Sequence, residues 1–130
     1  MVNFIKNRIS TIITITLVSI FLTYLSYVVY TDIGEKKRYE AIFRYLTVEK
    51  GYKESDISKI EAVHSIQAFL FSYEPWSIPV VFNDEPNAIY YYHYNDGVIS
   101  QGGISGYTES EVYKHFESVK GGLDKSKLID

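Results

Sequence analysis

The sequence contains no cysteine. That excludes disulfides, thiolate metal sites, cysteine nucleophiles and a lipidated N-terminal cysteine. Proline is scarce: all three prolines fall between positions 75 and 86, so the rest of the chain is free to form helices and strand ladders. An excess of basic charge is also missing. Thirteen Lys and Arg stand against sixteen Asp and Glu, a net charge of -3. A nucleic-acid binder needs a basic face, so no nucleic-acid partner is expected. There is no Gly-x-Ser-x-Gly elbow, no His-Glu-x-x-His pair and no Walker loop. No catalytic residue is expected, and neither a cofactor nor a bound metal.

What the chain does have is a long apolar run. After a short flank over residues 1–8, the 23 residues from Ile9 to Thr31 carry no charge. As a helix they span roughly 35 Å, enough to cross a hydrocarbon core of about 30 Å with some tilt. Their many Ile, Thr and Val residues disfavour a helix in water. In lipid the backbone must bond to itself, so helix is the expected state. A cleaved signal peptide is the rival reading. It would be shorter and end in small residues, whereas no Ala or Gly precedes Gly34. The expectation is one uncleaved anchor over residues 9–31. Tyr24, Tyr27 and Tyr30, three apart near its far end, are the expected membrane-interface residues.

Flanking charge orients the anchor weakly. Lys6 and Arg8 precede it; Lys36, Lys37 and Arg38 follow it, after Asp32 and Glu35. Counting Lys and Arg alone favours a cytoplasmic C-terminal part. A compact domain can nevertheless be exported largely regardless of its charge. The reading favoured is a single-pass protein of the cell membrane with an extracytoplasmic C-terminal domain.

Residues 35–120 read as one small α+β domain. Over residues 35–50, Tyr39, Ile42, Phe43 and Leu46 form one apolar stripe of an amphipathic helix, with Gly51 as its C-cap. Gly34 is a weak point between this helix and the anchor. Ser55 and Asp56 suit the cap of a short helical turn running through Lys59. From Ile60 to Phe71 the pattern alternates and predicts one long strand or two pieces. Trp76 to Phe82 predicts a second strand, with an open edge at Pro79. Ala88 to Tyr94 is a third strand, and Asn95-Asp96-Gly97 a hairpin turn. Val98 to Gln101 is a fourth. Short turns between them imply an antiparallel meander of three to four strands with one helix on one face. Gly102, Gly103 and Gly106 read as a loose connection. Thr108 and Glu111 form a capping box that predicts a short C-terminal helix over residues 109–117. Residues 121–130 read as a flexible tail.

Candidate chemistry is sparse. His64, His93 and His115 share no ligand spacing, so no metal site is expected from them. Asp84 and Glu85 are adjacent, which points their side chains apart and suits a turn before Pro86 better than an acid/base pair. The glycine-rich stretch from Gly102 to Gly106 lacks the lysine of a phosphate loop. The unusual feature is tyrosine, with thirteen in the chain. Tyr90, Tyr92 and Tyr94 share one strand face, opposite Ile89, Tyr91 and His93. One row should be partly exposed. Tyr90, Tyr92 and Tyr94, together with Trp76, are the candidate binding surface. The alternative is that these rings only pair across strands.

Several phrases are familiar as a set: Lys50-Gly51-Tyr52 with Asp56-Ile57 and Ile60, Val80-Val81-Phe82 with Asp84-Glu85-Pro86, and Tyr90-Tyr91-Tyr92 running into Asp96-Gly97 and Gln101. In these the chain resembles the small membrane-anchored proteins of Gram-positive bacteria grouped as domain of unknown function 3139. The resemblance covers nearly the whole chain. It implies a small extracytoplasmic α+β domain on one membrane anchor, and it supplies no catalytic residue. The function expected is binding of a protein, peptide or wall component at the cell envelope, without catalysis. Two alternatives stand beside it. One is an immunity or protease-inhibitory protein at the membrane. The other is a subunit of a membrane complex assembled through its span.

Overall fold

A computed structural model describes residues 1–117 of the chain. The expected tail over residues 121–130 lies outside the described residues. The chain divides into two compact units, Met1–Gly34 and the part from Glu35 onward.

The first unit lies within one helix, α1 (Val2–Arg44), which runs through Gly34 without a break. α1 is long and apolar enough to cross a membrane. Its hydroxyl-bearing side chains turn inward onto the helix backbone. Thr11, Thr14, Thr16, Thr23 and Ser26 each donate their hydroxyl to the carbonyl four residues back, at 2.9 Å.

In the second unit α1 ends at Arg44 and gives way to a π-helical turn, Tyr45–Glu49, in which Lys50 N–H reaches the Tyr45 carbonyl at 3.0 Å. The widened turn carries buried Leu46. Gly51 follows at φ 78°. The buried stripe differs from the one expected. Ile42 and Leu46 are core, with Tyr45 packed against it, whereas Tyr39 is exposed and stacks on Phe43 at 6.1 Å.

The sheet has the strands β1 (Ile57–Ile60), β2 (Val63–His64), β3 (Trp76–Phe82), β4 (Glu85–Asn95) and β5 (Val98–Gly106). β3, β4 and β5 form the expected antiparallel meander, and β1 and β2 pair with the other side of β3. The Asn95–Gly97 hairpin forms as read, with Asp96 at φ 48° and Gly97 at φ 84°, values that glycine adopts without strain. Inward side chains alternate along β3 (Trp76, Ile78, Val80, Phe82) and β4 (Ala88, Tyr90, Tyr92), and they meet Ile42 and Leu46.

Five expectations are corrected. The alternating stretch from Ile60 is not continuous strand. After β2 the chain forms a short helix, α2 (Ile66–Leu70), because Ser65 caps it by accepting the Ala68 N–H at 3.2 Å. Pro79 is not at an open edge, since β3 is flanked on both sides. Its carbonyl accepts Glu61 N–H at 3.1 Å, so its own nitrogen faces the gap between β1 and β2, where the ladder is interrupted anyway. Gly102 to Gly106 belong to β5 rather than to a loose connection. Residues 109–117 form turns and irregular chain, not a helix. Glu111 sits at φ 55°, which ends any helix, and the Thr108 hydroxyl donates to the Val112 carbonyl at 3.3 Å instead of capping. The helical turn expected to run from Ser55 and Asp56 through Lys59 is confined to Glu54–Asp56, because Ile57–Ile60 pair with β3 as β1.

Candidate functional site

The tyrosine row offered as a contact surface is core. Tyr90 and Tyr92 are fully buried and Trp76 is 4% exposed. Tyr94 is half-buried, with the Lys37 ammonium 5.8 Å from its ring centre. The alternation was right in period, but the helix covers this face and leaves the opposite row of Ile89, Tyr91 and His93 half-buried. Tyr24, Tyr27 and Tyr30 lie on α1, with Tyr24 and Tyr30 well exposed.

The buried tyrosines need partners for their hydroxyls. These come from Glu85 and from an unexpected source, the irregular segment 113–117. Glu85, almost fully buried at the start of β4, accepts the Tyr90 hydroxyl on one carboxylate oxygen and the Lys114 N–H on the other at 3.1 Å. Tyr92 donates to Glu117 at 2.9 Å. Tyr45, in the π-helical turn, donates to the second oxygen of Glu117 at 2.6 Å. Gln101, buried on β5, donates to the Tyr92 hydroxyl and the His115 carbonyl and accepts the Glu117 N–H. The segment is thereby laid across one end of the sheet.

His115 sits at the middle of this contact. Its ring stacks on Phe82 at 3.8 Å. Its Nε2 lies 2.7 Å from Asp84 Oδ1 and its Nδ1 lies 2.9 Å from the Tyr52 hydroxyl. An Asp–His–Tyr line resembles a proton relay. The electrostatics oppose that use. Burial, then the nearby Glu117 charge, pushes the Tyr52 phenol above its ordinary pKa, so Tyr52 is held as a neutral phenol rather than activated. Burial and the Glu85 bond do the same to Tyr90, and burial with Glu117 to Tyr92. Asp84 shows the opposite balance. Burial alone would raise it, but the bond and charge of His115 and the charge of Lys114 outweigh this and hold it below the usual carboxylate range. The chemistry favoured is a charged clasp that ties chain to chain.

The other expected sites resolve separately. His64 packs edge-on to Trp76 at 4.8 Å, and burial, followed by the Arg38 charge, lowers its pKa. His93 lies against β5, where its ring occupies the space a Cβ on Gly102 would fill. The three histidines do not converge, and among the described residues no group of His, Asp and Glu is placed to hold a metal. Asp84 and Glu85 do point apart, Asp84 to His115 and Glu85 into the core.

Glu85, Gln101, Tyr45, Tyr52 and Glu117 were missed as a set. One signal was available. Gln101 falls opposite Tyr92 once the Asp96-Gly97 hairpin fixes the register, and a polar residue facing a buried tyrosine marks a paired site.

The sequence profile of a family described as protein of unknown function (DUF3139) matches residues 6–92, and the chain belongs to that family. No curated protein and no solved structure matches the chain.

Proposed function

We propose that this DUF3139 member is a single-pass membrane protein whose α+β domain binds an extended peptide by adding it as a strand to β5. The observation that carries the reading is the state of β5. It is nine residues long, and among the described residues it pairs with β4 alone. The residues flanking a two-residue hairpin exchange both ladder bonds. Val98 and Ser100 therefore bond towards β4, and Ile99, which is not buried, turns its backbone N–H and C=O outward. An unpaired row of this kind recognises another backbone, and side chains beside it set the preference. The edge proposed for binding is thus that of β5 rather than one beside Pro79, which lies inside the sheet.

The membrane part of the proposal is supported by α1 and its 23 uncharged residues. Because its hydroxyls bond within the helix, α1 is suited to stand alone in lipid, which favours an anchor over an assembly interface between spans. On this proposal the domain lies outside the cytoplasm and works without catalysis.

Two experiments test this. Ser55 is exposed, and the chain has no native thiol. In a Ser55→Cys variant, a membrane-impermeant thiol reagent should label intact cells; labelling only after lysis puts the domain inside. For the edge, a photoreactive residue at Ser100 of the full chain should give a discrete adduct in its native cells. Ile99→Pro should abolish the adduct, while Ile99→Ala retains it. An adduct unchanged by Ile99→Pro removes strand addition from the proposal.

A further inference from the structure

The segment from Ile66 to Tyr73, which covers α2 and the turn after it, has no charged residue. Its apolar side chains are not in the core. Phe69 is 61% exposed, Leu70 70%, Phe71 73% and Tyr73 73%, and Ile66 and Val63 beside them are about half exposed. Soluble domains rarely leave so many large apolar side chains contiguous in water without a use for them.

The display is held by the backbone. Ser65 caps α2, Phe71 N–H bonds to the Gln67 carbonyl at 3.0 Å, and Tyr73 N–H returns to the Ala68 carbonyl at 2.9 Å. Ser72 adopts φ 60°, a left-handed conformation that costs a non-glycine residue energy. The chain is thus turned so that Phe69, Leu70, Phe71 and Tyr73 face outward together.

Two observations say what covers them. Trp76, three residues further on, lies under the Arg38 guanidinium at 4.1 Å, so the segment emerges beside the basic triplet Lys36, Lys37 and Arg38. Arg38 in turn is seven residues from Thr31, the end of the uncharged run. Seven residues reach at most about 25 Å in any conformation. If the run lies in a bilayer, the patch is tethered within reach of the headgroups of that same bilayer, at high effective concentration. Aromatic and aliphatic side chains beside basic ones suit that layer, where rings sit at headgroup level and Lys and Arg meet anionic lipid.

We propose that Ile66–Tyr73 is a second membrane contact, seating Phe69, Leu70, Phe71 and Tyr73 in the headgroup region of the bilayer that holds the anchor. The proposal rests on the reading of residues 9–31 as a membrane span.

The test uses the full chain reconstituted in vesicles of phosphatidylcholine and phosphatidylglycerol. Single cysteines are placed at Phe71, at Ile20 in the run and at Ser55, and each is labelled with an environment-sensitive fluorophore. Lipids carrying a nitroxide at the headgroup or deep in the acyl chain serve as quenchers. The Ile20 label should be quenched by the deep nitroxide, the Phe71 label by the shallow one, and the Ser55 label by neither. A quenched Ile20 label with an unquenched Phe71 label overturns the contact and leaves the anchor standing. If the Ile20 label is also unquenched, the anchor reading fails and the contact with it. A Phe71 label shielded from water but untouched by either nitroxide points to a protein partner or a second copy, and it likewise overturns the proposal. A Leu70→Ser, Phe71→Ser variant checks the assignment without a label. Its domain should unfold at the same denaturant concentration as the parent. Shallow quenching of a label at Tyr73 should fall several-fold.

Discussion

The Tyr45 phenol donates a 2.6 Å hydrogen bond to Glu117, a residue 72 positions later in the chain. The same carboxylate receives Tyr92 from β4 and lies 3.5 Å from the Lys50 ammonium. Glu117 thus joins the π-helical turn, the sheet and the irregular segment at a single point. Tyr45→Phe deletes one of these links and leaves the ring packing. It should cost about 1.5–3 kcal/mol, the scale for a bond to a charged acceptor. A fall in Tm of several degrees is the expected readout. An unchanged Tm would show that the link adds nothing.

Adjacent acidic residues should behave differently. Glu85 is buried and satisfies two donors, so Glu85→Ala strands the Tyr90 hydroxyl and the Lys114 N–H. A loss of about 2–4 kcal/mol is expected. Asp84 is about half exposed and makes its contacts at the surface, so Asp84→Ala should cost less. Urea unfolding of the two variants should rank them in that order.

Acid should weaken the domain in two windows. His64 has its folded pKa below the ordinary value of about 6.5, so the unfolded chain binds its proton first. Its contribution is complete above that value and declines as pH falls through it towards the folded pKa. Asp84 also has a depressed folded pKa, so its contribution is present above the ordinary carboxylate value of about 3.9 and is lost as pH falls through the folded one. Asp84→Asn should flatten only the more acidic limb of a stability–pH curve. His64→Phe should flatten only the limb just below neutrality.

Gly102 is fixed by the ring of His93. Gly102→Ala should displace that ring and lower stability by roughly 1 kcal/mol, the scale of mild overpacking. The His93→Ala, Gly102→Ala double variant should recover most of the loss, because the obstacle is one side chain rather than backbone. A double variant no better than the single one would locate the strain in the backbone of β5.

Local rules made the meander legible. Asp96-Gly97 specified its own turn, and alternation placed Trp76 to Phe82 and Tyr90 to Tyr92 in strands with the correct partners. Period alone could not say which tyrosine row faces inward, because that depends on where Ile42 and Leu46 settle. The stretch from Ile66 to Leu70 fits a strand or a short helix equally in its apolar spacing, and the Ser65 cap decides between them. The Thr108 and Glu111 spacing satisfied a helix rule that the segment does not follow, since its residues find better partners on the sheet. The polar site was hidden for the same reason. Glu85, Tyr45 and Glu117 lie in separate segments and become a site only after long-range pairing.

The clasp at residues 113–117 also fixes an order of events during synthesis. Glu85, Tyr92 and Gln101 remain without these partners until residues 113–117 have been made, whereas the apolar run is complete long before. The core residues from Ile42 to Tyr92 are all present before then, but Glu85, Tyr92 and Gln101 keep open polar groups until residues 113–117 arrive to close them.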